Sequence, residues 1–143
     1  MKPLTPYLFF DGNCREAMDF YKSCFGGELF VTTFGEAPKG EECPGGHADP
    51  DKVMHACLTL GDFCLMASDN PMECPTMGDH ISINITCSSM DEIQSLFAKL
   101  SEGGKVCMPL GDTFWGAHFG MLSDRFGFNW MLNYPLPGQE GCK

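Results

Sequence analysis

Histidine and cysteine are the residue types in this sequence best suited to chemistry. His55 and Cys57 stand two positions apart in an apolar segment, so on a β-strand both side chains would share one face. A thiol beside an imidazole base is the arrangement of a cysteine nucleophile. The alternative is a buried, inert thiol, because nine cysteines are scattered without a Cys-X-X-Cys motif and thiols in a reducing compartment mostly behave as small hydrophobic residues.

A metal site is the second kind of chemistry to consider. Cys43, His47 and His55 come closest to a ligand cluster, but their spacing matches no zinc motif. The first two lie in GEAPKGEECPGGHADPDK, residues 35–52, where glycines and prolines predict a long loop. A loop of this length is either a lid over a site or a variable surface loop.

The stretch FWGAHFGMLSDRFGFNWMLN, residues 114–133, contains both tryptophans of the chain. Trp115 could form an aromatic wall against a flat ligand or pack at the edge of a strand. Gly116 and Gly120 would let a ligand or another backbone approach closely. Whether this stretch forms a binding wall, a metal site or part of the core depends on the secondary-structure elements that contain it.

Two helices with the same spacing predict a duplicated chain. Asn13 to Glu16 and Ser89 to Glu92 each read as a capping box, and each opens an apolar run that ends at two glycines. The apolar positions of the first helix recur 76 positions later, where Ala17, Phe20, Tyr21 and Cys24 become Ile93, Leu96, Phe97 and Leu100.

Strand candidates surround each helix in the same order. They precede it at 4–10 and 80–87, follow it at 28–34 and 105–110, and then form a hairpin. Each half is predicted as β-α-β-β-β. The chain is interpreted as one domain over 1–143, with one module at about 1–70 and the other at about 78–135.

The first hairpin turn sets which side chains of its strands share a face, because directly opposite residues point the same way. A Gly-Asp turn pairs Leu60 with Phe63. The pairs that follow are Met66 with Cys57 and Ser68 with His55.

The second hairpin has a longer turn, Asp-Arg-Phe-Gly, which is predicted to pair Ser123 with Phe128. The pairs that follow are Met131 with Gly120 and Asn133 with His118. Trp130 then falls on the opposite face, against a helix.

Composition excludes several classes of partner. The formal charge of -10 would repel nucleic acid and anionic membrane surfaces. The first residues lack the regions of a signal peptide, and no apolar run approaches the ~18 residues of a membrane span. The sequence predicts a cytoplasmic globular protein with neither nucleic acid nor membrane as a partner.

Nearly the whole chain resembles the PhnB-like branch of the vicinal oxygen chelate superfamily, which includes glyoxalase I, bleomycin-binding proteins, fosfomycin resistance proteins and extradiol dioxygenases. The resemblance rests on PYLFFDGNCREAMDFYKSCFGGEL at 6–29 and on DTFWGAHFG and DRFGFNWMLN near the end. It implies an α+β fold in which two β-α-β-β-β modules form curved sheets around a cavity, completed in a homodimer. Fold alone does not fix the reaction.

Catalytic members of the superfamily hold a divalent metal with His and Glu side chains on the first and last strands of each module. By the resemblance, those positions here fall on Pro6, Met66, His80 and Met131. Proline cannot coordinate, and a Met thioether suits Cu(I) better than the metals of these enzymes. Tyr7 and Phe9 alternate away from Pro6 and are expected in the core.

The predicted function is binding of a small molecule in an apolar, Met-rich cavity with no metal and no cofactor, and catalysis is left open. The candidate ligand-binding residues are His55, Cys57, Met66, His80, Trp115, His118, Met131 and Asn133. The alternative is a metal-dependent lyase or dioxygenase of the glyoxalase type, with a rearranged site that uses His55, His80 and His118.

Overall fold

The computed structural model describes residues 4–36, 49–69, 78 and 80–137. Its strands are β1 Tyr7–Phe10, β2 Glu28–Thr33, β3 Val53–Leu60, β4 Phe63–Asp69, β5 Ile83–Thr86, β6 Lys105–Asp112, β7 Ala117–Ser123 and β8 Asn129–Pro135. Its helices are α1 Cys14–Phe25 and α2 Met90–Ser101, and a short 3-10 turn spans Phe34–Glu36. Neither helix is long and apolar enough to cross a membrane, as far as the described residues go. Most of the predicted loop at 35–52 lies outside the described residues.

The chain divides into two compact units, Met1–Thr76 and Met77–Lys143, each with one sheet and one helix. The first sheet has the order β1-β4-β3-β2, with β1 parallel to β4 and the other pairs antiparallel. The second sheet has the order β5-β8-β7-β6 with the same pattern. The predicted β-α-β-β-β order is confirmed in both halves.

Helix α2 begins as its sequence predicts. The Ser89 hydroxyl oxygen accepts a hydrogen bond from the Glu92 N–H at 3.1 Å, and the Glu92 carboxylate accepts one from the Ser88 N–H at 2.8 Å. The capping box therefore forms, with Ser88 as the returning donor. The predicted apolar face is the buried one and consists of Ile93, Leu96, Phe97 and Leu100.

Helix α1 begins differently from the prediction. Asn13 stands at the N-cap, but its side chain makes no capping hydrogen bond. The buried carboxylate of Asp69, at the end of β4, accepts from the Cys14 N–H at 3.0 Å and from the Val53 N–H at 2.8 Å. A charged acceptor binds an N–H more strongly than a neutral amide oxygen does. Asp69 thus ties the start of α1 to β3 and β4.

Each sheet buries one face against the helix of its own unit and leaves the other face open. Helix α1 contacts β2, β3 and β4, while α2 contacts β6, β7 and β8. The buried strand positions alternate, as a half-buried sheet requires. They are Leu8, Phe10, Ala56, Leu58, Leu65 and Ala67 in the first unit and Leu122, Trp130 and Leu132 in the second. Trp130 is fully buried, in agreement with its predicted place behind the sheet.

A buried aspartate closes the turn between β7 and β8. One Asp124 carboxylate oxygen accepts from the N–H groups of Phe126 and Phe128 at 2.8 and 3.1 Å, and the other accepts from Nε1 of Trp130 at 2.8 Å. The Asp124 N–H also donates to the Phe128 carbonyl at 2.8 Å. The turn therefore includes Phe128, and Ser123 pairs with Asn129. The predicted register of this hairpin is wrong by one residue.

Candidate functional site

The open face of the first sheet carries three of the predicted site residues. Met66 pairs with Cys57 on one side and with Tyr7 on the other, and Phe30 extends this row across β2. The pairing of Met66 with Cys57 confirms the predicted register of the first hairpin, because a two-residue turn leaves little freedom in how its strands pair. His55 lies two residues before Cys57 and so belongs to the same face.

Aromatic rings lie close together on one side of this face. The Tyr7 hydroxyl lies 3.4 Å from Nδ1 of His55, and the Tyr7 ring lies 5.1 Å from the ring of Phe9. Tyr7 and Phe9 are 40% and 48% exposed, so the prediction that they belong to the core is wrong. Side chains alternate along β1, and those of Leu8 and Phe10 point toward the core, so Tyr7 and Phe9 point away from it. Tyr7, and not Pro6, is therefore the neighbour of Met66.

Cys57 is paired with another cysteine. Its Sγ lies 3.3 Å from Sγ of Cys64 on the neighbouring strand. Burial, followed by the hydrogen bond with Cys64, raises the pKa of Cys57 to about 11. A thiol with this pKa is protonated at neutral pH, whereas a nucleophile must be a thiolate. This geometry does not support the hypothesis of a Cys57 nucleophile activated by His55.

The open face of the second sheet carries a row of methionines. Met121 of β7 pairs with Met131 of β8 and with Met108 of β6, and Asn84 of β5 completes the row beside Met131. Met108 is 46% exposed, while Met121 and Met131 are half-buried. We call Met108, Met121 and Met131 the methionine row.

A second row on the same face is mixed aromatic and polar. Phe119 pairs with Asn133 on one side and with Gly111 on the other, and Thr86 lies beside Asn133. Trp115, from the β6–β7 connection, meets the Phe119 ring edge-on with centroids 5.8 Å apart. Trp115 is 50% exposed, and its contact with Phe119 places it at the border of this face.

His118 does not share a face with Met131 and Asn133. It pairs with Tyr134 and Asp112, and its Nδ1 lies 2.8 Å from the Asp112 carboxylate. Because the register differs by one residue from the prediction, every side chain of β7 takes the face opposite to the predicted one. Gly120 accordingly faces α2, where an added Cβ would lie 2.7 Å from Phe97. Its role is close packing of the helix, not access for a ligand.

Sequence reasoning missed Met121 and Phe119 for the same reason, because the predicted register assigned β7 to the opposite phase. It missed Met108 because no facing was predicted for the strand at 105–110. His80 is exposed and precedes a strand that begins at Ile83, three residues after its predicted start.

The donor set at the superfamily's ligand positions does not fit a divalent metal of the usual kind. Met66 and Met131 stand there, with Tyr7 and Asn84 as their register neighbours. Thioether, phenol and amide groups do not supply the imidazole and carboxylate ligands that Zn, Fe, Mn and Ni prefer. Within the described ranges, no three His, Cys, Asp or Glu side chains converge in a group able to hold a metal ion. The rearranged site of His55, His80 and His118 gains no support from this geometry.

Residues 2–133 match the family model described as 3-demethylubiquinone-9 3-methyltransferase. The chain belongs to this family. A PhnB protein of known structure from Bacillus cereus is 31% identical, with a TM-score of 0.72 over 93% of this chain and 99% of its own. The predicted PhnB-like branch is therefore confirmed.

Two further solved structures extend the comparison. Protein PA1353 from Pseudomonas aeruginosa is 45% identical, with a TM-score of 0.83 over 95% of this chain and 99% of its own. A glyoxalase/bleomycin resistance protein/dioxygenase family enzyme from Burkholderia phytofirmans is 12% identical, with a TM-score of 0.64 over 92% of this chain and 97% of its own. This second likeness concerns the fold alone. The PhnB-like chain therefore has the α+β fold of the glyoxalase and bleomycin resistance type.

Proposed function

We propose that this PhnB-like protein binds a small, flat molecule with oxygen-bearing groups on the open face of its second sheet. The observation that carries the proposal is the methionine row across β6, β7 and β8, bordered by the exposed ring of Trp115. The binding requires no His- and Glu-ligated metal.

Methionine suits a surface that must fit a ligand. Its unbranched, polarisable side chain adapts to different shapes, and its sulfur makes favourable contacts with aromatic rings. Three neighbouring methionines with Phe119 and Trp115 form a contiguous apolar area, and such exposed areas on soluble proteins commonly mark binding sites. Phe114, next to Trp115, is 97% exposed and adds a second ring at the border.

Polar side chains on the same face would orient the ligand. Asn84 lies beside Met131, and Asn133 and Thr86 lie beside Phe119. Amide and hydroxyl groups both donate and accept hydrogen bonds, so they can recognise hydroxyl or carbonyl oxygens. A mostly apolar surface with a few placed polar groups is typical of small-molecule sites.

The class of ligand follows from two further observations. The family description names a demethylubiquinone, whose ring is flat and bears oxygens. Arg15 and Arg125 are the only arginines of a chain with a formal charge of -10, which disfavours a phosphonate or other dianion. A neutral hydroquinone-type ring fits the face better than an anion does.

Isothermal titration calorimetry with a short-chain ubiquinol head-group analogue tests the proposal. We expect one-site binding that chelators do not change and that Met121→Ala and Trp115→Ala each weaken about tenfold, which corresponds to about 1.4 kcal/mol. Met90→Ala, a half-buried methionine of α2, is the matched control and should bind like the wild type. Absence of binding, or equal binding by all four proteins, would contradict the proposal.

We further propose that the protein is a cytoplasmic homodimer, as the family resemblance implies. None of the six cysteines in the described part of the chain forms a disulfide, which suits a reducing compartment. Light scattering coupled to gel filtration measures the mass in solution. A mass of one chain at micromolar concentration would contradict the dimer.

A further inference from the structure

Three sulfur atoms belong to one small area of the first sheet's open face. Cys57 on β3 has its Sγ 3.3 Å from Sγ of Cys64 on β4. Met66 pairs directly with Cys57, and it lies two residues after Cys64, so its side chain points to the same face. Directly opposite residues have Cβ atoms roughly 4.5–5.5 Å apart, a gap that a Met side chain spans. We call Cys57, Cys64 and Met66 the sulfur cluster.

The two thiols of the sulfur cluster contact each other and are both partly accessible. Cys57, Cys64 and Met66 are all half-buried, so an ion or small molecule can reach them. Cys24 is also half-buried, whereas Cys14 and Cys87 are buried and Cys107 is exposed. The thiol contact between Cys57 and Cys64 therefore provides two soft donors at a partly accessible position.

The spacing of the two thiols favours chelation over a disulfide. A disulfide requires sulfurs about 2.05 Å apart, so the two atoms would have to approach by about 1.3 Å. A metal with bonds of about 2.3 Å to two thiolates holds the two sulfurs about 3.8–4.0 Å apart. The sulfurs of Cys57 and Cys64 would therefore have to move apart by only about 0.5–0.7 Å. Strand geometry agrees, because Cys57 and Cys64 are diagonal partners, and diagonal Cα atoms lie roughly 7–8 Å apart, beyond the usual range for a disulfide.

We propose that the sulfur cluster is a Cu(I) site, with the thiolates of Cys57 and Cys64 and the thioether of Met66 as its ligands. Thiolate and thioether donors are soft ligands that suit Cu(I), zinc and iron–sulfur clusters. A structural zinc normally takes four protein ligands and an iron–sulfur cluster four cysteines, whereas no group of three or more His, Cys, Asp or Glu able to hold a metal ion exists among the described residues. Binding exchanges two thiol protons for one Cu(I) and changes no oxidation state.

This site is independent of the proposed ligand face. The sulfur cluster lies on the first sheet and the methionine row on the second, so each can be altered without the other. Loss of copper binding in a variant of the sulfur cluster should leave calorimetric binding of the ubiquinol analogue unchanged. Failure of one proposal would therefore leave the other standing.

The test is an anaerobic competition in which reduced protein removes Cu(I) from its coloured bicinchoninate complex, followed by absorbance. We expect the wild type and Cys107→Ser to bind one equivalent more than Cys57→Ser and Cys64→Ser. Met66→Leu should keep this equivalent but bind it at least tenfold more weakly. Cys57→Ser and Cys64→Ser each remove one partly exposed thiol, and far-UV circular dichroism checks that each variant is folded.

Two results would overturn the Cu(I) site. One is an equal copper capacity in the wild type, Cys57→Ser and Cys64→Ser, which would assign the copper to other cysteines. The other is permanent loss of two thiols when copper is removed by a chelator, which would show that the pair forms a disulfide instead. Recovery of all thiols together with the expected difference of one equivalent supports the site.

Discussion

The carboxylate of Asp124 accepts a hydrogen bond from Nε1 of Trp130 at 2.8 Å, and both side chains are buried. The same carboxylate accepts two backbone N–H groups of the turn. This contact fixes the length of the β7–β8 turn and thereby the register of the hairpin. The register in turn places Met121 beside Met131 on the open face.

Removing this carboxylate should destabilise the protein strongly. Asp124→Ala leaves the indole N–H and two backbone N–H groups without their acceptor, so we expect a loss of about 2–4 kcal/mol in the free energy of unfolding. Urea denaturation measures it. Asp62→Ala in the exposed β3–β4 turn is the matched control and should change stability by less than about 0.5 kcal/mol. Equal effects of the two substitutions would show that the Asp124 contacts do not stabilise the fold.

Two glycines on neighbouring strands should respond oppositely to alanine. A Cβ at Gly120 would lie 2.7 Å from Phe97 and 2.9 Å from Leu110, so Gly120→Ala should cost about 1–3 kcal/mol through overpacking. A Cβ at Gly111 meets nothing within 4 Å, and Gly111→Ala should be neutral or stabilising by up to about 1 kcal/mol. Thermal unfolding of both variants measures these changes in stability. A stable Gly120→Ala protein would mean that β7 has the opposite phase.

Helix α1 should depend on an aspartate outside it. Asp69→Ala removes the acceptor for the Cys14 and Val53 N–H groups, and we expect a loss of about 2–4 kcal/mol. Asn13→Ala should cost less than about 0.5 kcal/mol, because the Asn13 side chain makes no capping bond. Urea denaturation compares the two. A larger loss of stability for Asn13→Ala than for Asp69→Ala would show that Asn13 caps the helix.

Alkaline pH should weaken the fold through buried thiols. Burial raises the pKa of Cys14 to about 12 and, with smaller contributions from neighbours, raises the pKa of Cys57 and Cys87 to about 11. The unfolded chain loses these protons near pH 9, whereas the folded chain retains them, so stability is fully present below pH 9 and falls as pH rises toward 11.

A Cys14→Ala variant isolates this effect. Its free energy of unfolding should fall less steeply than that of the wild type between pH 9 and 11 and in parallel with it between pH 6 and 8. Denaturant titrations at each pH provide the slopes. Identical slopes above pH 9 would show that Cys14 makes no contribution to the pH dependence.

Local signals in the sequence predicted most of the fold. The apolar spacing of α2 and the box from Ser89 to Glu92 identified that helix and its buried face, and the Gly-Asp turn identified the pairing of Met66 with Cys57. These features depend on residues only a few positions apart, where propensity and turn chemistry decide the outcome.

The remaining part of the site depended on distant contacts. The sequence does not reveal that the Asp124 carboxylate binds Trp130 and two N–H groups of a turn one residue longer than predicted. The resulting register separates His118 from Met131 and places Met121 beside Met131. The phase of β1 was likewise decided by which residues reach the core, since Leu8 and Phe10 pack there while Tyr7 is exposed.

The two helices, similar in sequence, differ in what must assemble before they can start. The cap of α2 comes from Ser88, Ser89 and Glu92, which are close to one another in sequence, so it can form together with the first turn of the helix. The cap of α1 comes from Asp69, 55 positions away, so its first turn is secured only after β4 has docked. Contacts between distant residues form late, because closing a long loop costs entropy. The two similar modules thus differ in whether the cap of their helix is local or depends on the sheet.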